Sequence, residues 1–274
     1  MRRFLNILLL VLTLLAMTAM GIYFAHSHFN DSLDDVNITI TRNHENGFLD
    51  YEEIFNTVMN ICDTVNNKQI KNIDVDSIVE NLRSNKWVTN VHASINLKSV
   101  LEIEIEECEP ILRIYNSDNK SVYVDNQGNM YPSENDYVPH VLICSGYIDF
   151  QETELGNVND EIYAESELQN TFILAKEVLK DKYSSRCVKQ IYVDKKKNYK
   201  FSLTNTNIIV IFGDVNNIEE KLFNMEQFFK RMQGNPELDN YKEINLNYKN
   251  QVVCTKNKNK KKVLNMGCIS LEKV

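Results

Sequence analysis

The sequence predicts an α+β protein carried on one N-terminal membrane-spanning helix. A small sheet covered by two helices comes first, then a larger mixed β region with two longer helices. Three observations predict this: an uncharged apolar run at the N-terminus, strict two-residue alternation in several short segments, and capped helical stripes between them.

The apolar run is Phe4 to Ala25 (FLNILLLVLTLLAMTAMGIYFA), preceded by Arg2 and Arg3. Its twenty-two residues, at about 1.5 Å rise, make a helix of roughly 33 Å, enough to cross a hydrocarbon core of about 30 Å. Asn6, Thr13 and Thr18 are tolerable there, because hydroxyls and one end-placed amide cost far less than a charge. The two arginines favour a cytoplasmic N-terminus, with residues 1–3 as a cytoplasmic stub and residues 26–33 as a polar spacer. The competing reading is a cleaved signal peptide, with Ala25-His26-Ser27 as its small-residue site. The run is longer than a signal-peptide core, so an anchor is the expectation.

The hydrophobic fraction of 43% is ordinary for a globular protein, so a packed core is expected outside the membrane. The net charge of −8 hides an asymmetry: from Thr255 onward there are six lysines and one glutamate. The acidic remainder has no electrostatic reason to seek nucleic acid. Six cysteines occur, none in a CxxC pair. A body of this size does not need disulfide staples, so most are expected to be small buried hydrophobes.

After the anchor, Val36 to Arg42 alternates and reads as a strand. Asp50 opens a helix with Glu53 three residues on; Ile54, Val58, Ile61 and Val65 form its buried stripe, and Asn66-Asn67 ends it. Asp74 caps a shorter helix with Ile78, Val79 and Leu82 inward. Strands follow at Val91 to Leu97 and Val100 to Glu106. In the second, Leu101, Ile103 and Ile105 face a core while Glu102, Glu104 and Glu106 face water. The order is strand, helix, helix, strand, strand.

Pro110 marks a boundary. Strands are expected at Ile111 to Tyr115 and Val122 to Val124. Asp125-Asn126-Gln127-Gly128 is a turn, and another strand lies between Pro139 and Gly146. A helix is expected from Asp160 to Tyr183, carrying Leu168, Phe172, Ala175 and Leu179. Strands at Val188 to Asp194, Tyr199 to Thr204 and Ile208 to Phe212 precede a second long helix. That helix is capped by Asn217 with Glu220, striped by Ile218, Leu222, Met225, Phe229 and Met232, and ended by Gly234 and Pro236. One long final strand is expected from Glu243 to Cys254. Residues 255–274 read as a lysine-rich disordered tail.

These residues resemble the FtsQ/DivIB family of bacterial division proteins. Trp87-Val88, Val91, Ala93, Leu101, Ile103, Ile105, Glu107 and Pro110-Ile111 are similar to the second half of that family's POTRA domain and its join to the next domain. Asp125 and Gly128 resemble the turn that follows. Gly213-Asp214, Glu220-Lys221-Leu222 and Phe228-Phe229 resemble the penultimate helix. Tyr241, Ile244-Asn245-Leu246-Asn247-Tyr248 and Gln251-Val252-Val253 resemble the last strand. Lys98, Cys108 and Asn247 depart from the family's usual residues. The resemblance implies a POTRA domain at 34–109 and an FtsQ-type β domain at 110–254.

No catalytic constellation is present. The histidines His26, His28, His44, His92 and His140 are scattered, and no GxSxG, HExxH or glycine-rich phosphate loop occurs. Glu102, Glu104 and Glu106 alternate with apolar residues as the wet face of a sheet. No enzyme activity, cofactor, metal or small-molecule substrate is expected.

A binding module remains, and the last strand is its best candidate. A terminal strand at a sheet edge leaves backbone N–H and C=O groups available to a partner strand. The resemblance implies that FtsB- and FtsL-type partners dock there, at Tyr248, Gln251, Val252 and Val253. It also implies a single-pass inner-membrane protein with extracytoplasmic C-terminal domains, acting at the division septum in support of septal peptidoglycan synthesis. The alternative is a membrane-anchored POTRA envelope chaperone for exported polypeptides.

Overall fold

A computed structural model describes residues 2–30, 32–63, 69–151, 155–249, 251–257 and 268–270. The chain divides into two compact units, Met1–Cys108 and Glu109–Val274. It is a mixed α+β protein in which strands form two separate sheets.

The first unit opens with α1 (Arg2–Asn30). Its span Asn6–Tyr23 is long and apolar enough to cross a membrane, and none of that span is buried. Thr13 and Thr18 hydroxyls each donate to a carbonyl one turn back, Leu10 and Leu15, at 2.9 Å. This satisfies both hydroxyls within the helix, as a lipid surrounding demands. The helix runs on through His26–Asn30, so residues expected as a spacer extend it.

The sheet that follows has the order β1–β3–β2, from β1 (Asp35–Thr41), β2 (Val88–Ile95) and β3 (Val100–Glu107). β1 runs parallel to β3, and β2 antiparallel to it. Between β1 and β2 lie α2 (Tyr51–Asp63) and α3 (Val75–Arg83). Asp50 and Asp74 cap them: their carboxylates accept from the Glu53 and Ser77 N–H at 3.1 and 3.0 Å. Ile54, Val58, Ile78 and Leu82 on the helices and Leu101, Ile103 and Ile105 on β3 are all buried. Val65 and the expected Asn66-Asn67 stop lie outside the described residues. Trp87 stacks face to face on Phe48, ring centroids 4.1 Å apart.

Alternation carries Glu107 onto the core face of β3, where it is buried. Its carboxylate accepts from the Phe48 N–H at 2.6 Å and the Leu49 N–H at 3.3 Å, and pairs with Arg42 at 3.4 Å. It therefore closes the loop that leads from β1 into α2.

The second unit is a ten-stranded sheet. Its strands are β4 (Pro110–Tyr115), β5 (Ser121–Asp125), β6 (Met130–Pro132), β7 (Leu142–Gly146), β8 (Val188–Val193), β9 (Tyr199–Leu203), β10 (Ile209–Gly213), β11 (Tyr241–Asn245), β12 (Gln251–Lys256) and β13 (Cys268–Ser270). The order across it is β13–β12–β11–β10–β9–β8–β7–β4–β5–β6. Inward residues such as Ile114, Ile191, Phe201, Phe212, Ile244 and Val252 join one core with α4 (Glu167–Lys180) and α6 (Ile218–Met232). The Asp125 turn is held by its own carboxylate, which accepts from the N–H groups of Gln127 and Asn129 and from the Tyr131 hydroxyl at 2.8–2.9 Å.

Four expectations need correction. The helix foreseen from Asp160 to Tyr183 is a short 3-10 turn, then α4, then α5 (Ser184–Cys187). Glu165 sits at φ 57°, which interrupts the first stretch, and the Ser166 hydroxyl restarts it by accepting from Gln169. Asn217 stands at the start of α6 in the left-handed region, and its side chain makes no capping bond. Asparagine tolerates that backbone better than most residues. The single strand foreseen over Glu243–Cys254 is two strands, β11 and β12, paired antiparallel. Part of the tail foreseen as disordered, Cys268–Ser270, is a strand; residues 258–267 and 271–274 lie outside the described residues.

Candidate functional site

The candidate site is the end of the second sheet built by β10 to β13. β11 enters parallel to β10, with Ile209 opposite Glu243 and Ile211 opposite Asn245. Ile244 and Leu246 anchor it in the core, and the Leu246 N–H donates to the Ile211 carbonyl at 2.9 Å. The chain then bends over residues 247–249. The Asn245 side-chain oxygen accepts from the Asn247 N–H at 2.9 Å, and the Tyr248 carbonyl accepts from the Gln251 N–H at 3.3 Å. This asparagine-rich turn is what divides the expected strand.

Gly213 makes the turn possible. It sits at φ +82°, and the Asn247 side chain occupies the space that any β-carbon at Gly213 would need. Next to it, Lys221 of α6 reaches back with Nζ to the Asp214 carboxylate at 2.6 Å and the Asp214 carbonyl at 2.9 Å. The same ammonium lies 5.1 Å from the Phe212 ring centroid. The Lys221 hydrogen bond holds the Asp214 carboxyl below the usual carboxylate range, against the opposing effect of desolvation. Strand β10, helix α6 and the turn thus meet at one fixed corner.

The four residues singled out from the sequence fall close together but in unlike settings. Tyr248 is in neither strand: it projects from the turn, 47% exposed. Val252 is fully buried at 0% and contributes to the core, so its side chain is not on offer to a partner. Gln251 and Val253 are half-buried on the opposite face of β12. What unites the last three is a continuous backbone.

That backbone is not a terminal edge. β13 pairs antiparallel with β12, placing Gln251 opposite Ser270, Val252 opposite Ile269 and Val253 opposite Cys268. The physical reason is ordinary: a strand edge with hydrogen-bonding groups to satisfy takes the nearest extended segment. Sequence reasoning missed β13 because three residues behind a lysine run carry almost no periodic signal. A Cys-Ile pair after the polar stretch is the one cue present.

Chemistry of other kinds finds little here. Among the described residues no group of three His, Cys, Asp or Glu side chains is placed to hold a metal ion. Cys62, Cys108, Cys144 and Cys254 are buried and Cys187 half-buried. Burial pushes the Cys144 thiol up and the Cys187 thiol up to about 11, which leaves both poor nucleophiles.

The chain thus joins one apolar N-terminal helix, long enough to cross a membrane, to a three-stranded unit and a ten-stranded mixed sheet. The family profile described as FtsQ/DivIB, C-terminal related, matches residues 109–255, more than half of the chain. The chain belongs to the FtsQ/DivIB family. It is also similar to the cell division protein FtsQ of Rickettsia bellii, with 28% identity over 90 residues. That alignment covers 33% of this chain and 33% of the relative, so the match spans about a third of each. The family match ends at Thr255, within β12 and ahead of β13.

Proposed function

We propose that this chain is a non-enzymatic scaffold of the cell-division machinery. It is held in the inner (cytoplasmic) membrane by α1 with its N-terminus in the cytoplasm. Both later units then lie outside the cytoplasm: residues 34–109 as a POTRA-type domain and residues 110–254 as the partner-binding β domain. The β domain engages FtsB- and FtsL-type proteins by strand addition at β12, with Tyr248 as a flanking side-chain contact, at the septum. Septal peptidoglycan synthesis is supported by holding these partners near the membrane.

The family match over the β domain carries this reading. The placement of the site rests on β12, second from the end of the sheet and bordered there only over Gln251–Val253 among the described residues, and on an exposed tyrosine beside it. Main-chain hydrogen bonds supply affinity in such docking and alternate side chains supply selectivity.

The test is depletion in the host with cell length followed by microscopy, complemented by wild type or by Tyr248→Glu. Filaments or chains rescued only by wild type support the scaffold and the site. Rescue by both removes the site and keeps the division role. Normal division on depletion sinks the proposal and favours the envelope-chaperone alternative.

A further inference from the structure

We propose that Cys268–Ser270 is a built-in occupant of the partner edge: this chain closes β12 with its own strand, and a partner strand must displace it. The inference rests on the strand-addition reading above and adds a regulation of that same site.

Three observations carry it. β13 lies on the side of β12 away from β11, the side on which an incoming strand would pair with β12. The described pairing spans three residues, whereas β12 is six residues long. A partner strand that registers along all of β12 makes more backbone hydrogen bonds than β13 does, so exchange has a driving force. Finally, β13 lies beyond the region matched by the family profile, which ends at Thr255, so the closing strand is a feature outside the matched domain.

The residues between Lys256 and Cys268 act as a tether. A short tether presents its segment at an effective concentration of about millimolar, so the closed form dominates once the strand's own dissociation constant is about 0.1 mM or lower. A closed fraction of about 90% lowers the apparent affinity for a competing strand about tenfold. The device keeps an otherwise adhesive edge covered until the partner is present, which limits edge-to-edge aggregation. Extended register places Val253 and Cys268 directly opposite each other, a separation that a disulfide can bridge.

The experiment uses the full chain in detergent, a variant lacking residues 258–274, and Val253→Cys in the full chain. Hydrogen exchange is measured at the Gln251–Val253 amides directed at β13. Capture of the host's recombinant FtsB-type protein is measured in parallel. Expected are loss of amide protection on truncation, capture about tenfold tighter by the truncated chain, and, in Val253→Cys, a disulfide to Cys268 whose formation under an added thiol oxidant abolishes capture and whose reduction restores it. Unchanged amide protection together with no disulfide overturns the closing strand and leaves the strand-addition reading intact. Lost protection with unchanged capture, or capture by the oxidised form equal to the reduced, overturns the inference and takes the β12 docking site with it.

Discussion

Lys221 Nζ lies 2.6 Å from the Asp214 carboxylate, joining the start of α6 to the end of β10. The lysine is almost wholly buried while the aspartate is largely exposed. The pair is therefore asymmetric: removing the carboxylate leaves a mostly buried ammonium with the Asp214 carbonyl and the Phe212 ring but without that counter-charge, and removing the ammonium leaves a carboxylate that water can reach. Asp214→Asn should cost more than Lys221→Met, about 1–3 kcal/mol against about 1 kcal/mol. Urea unfolding of both variants checks the order, and equal costs would show that the pair acts only through packing.

The same pair predicts a pH dependence. The Asp214 carboxyl is held low in the folded state by the Lys221 hydrogen bond. A depressed folded value gives stability that is complete above the unfolded value of about 3.9 and is lost as pH falls through the folded value. The difference in urea midpoint between wild type and Asp214→Asn should be constant from about pH 6 to pH 5 and shrink as the medium is made more acid than about pH 4. A difference that persists unchanged in strong acid contradicts this.

Glu107 predicts a large effect in the first unit. Its buried carboxylate receives the Phe48 and Leu49 N–H groups and faces Arg42. Glu107→Leu leaves those donors without their acceptor, at a cost of about 2–4 kcal/mol. Glu107→Gln keeps one acceptor and should cost less. Chemical denaturation followed by fluorescence of Trp87, the only tryptophan, reads this unit directly, because Trp87 stacks on Phe48.

Gly213 predicts a link between fold and site. Gly213→Ala adds a β-carbon at φ +82° where the Asn247 side chain already lies. The cost should be about 1–3 kcal/mol, and the turn carrying Tyr248 should shift. Partner capture should fall more than the loss of stability accounts for. Gly213→Ala combined with Asn247→Gly should recover part of both.

Much of this architecture is legible in the residues. Alternation in Leu101–Glu106 and the Asp50 and Asp74 caps are local signals, and local physics decides them. The same alternation carried one residue further places Glu107 on the core face, a clue that the charge of its side chain obscures. The break at Glu165 was not legible, because a left-handed backbone at a glutamate has no compositional mark. The division of the last strand was legible in Asn245–Asn247, whose side-chain turn chemistry competes with strand. β13 depends on a long-range pairing that no window of sequence contains. Of the four residues singled out from the sequence, Tyr248 lies in a turn rather than a strand and Val252 in the core.

In the proposed function a division partner adds a strand at β12 beside Tyr248. The most direct measurement is photo-crosslinking in living host cells, with a photoreactive phenylalanine analogue placed at Tyr248 or at Phe223, which is 55% exposed on α6. An FtsB-type adduct is expected from position 248 and none from position 223. Adducts from position 223 with none from position 248 would contradict the proposal.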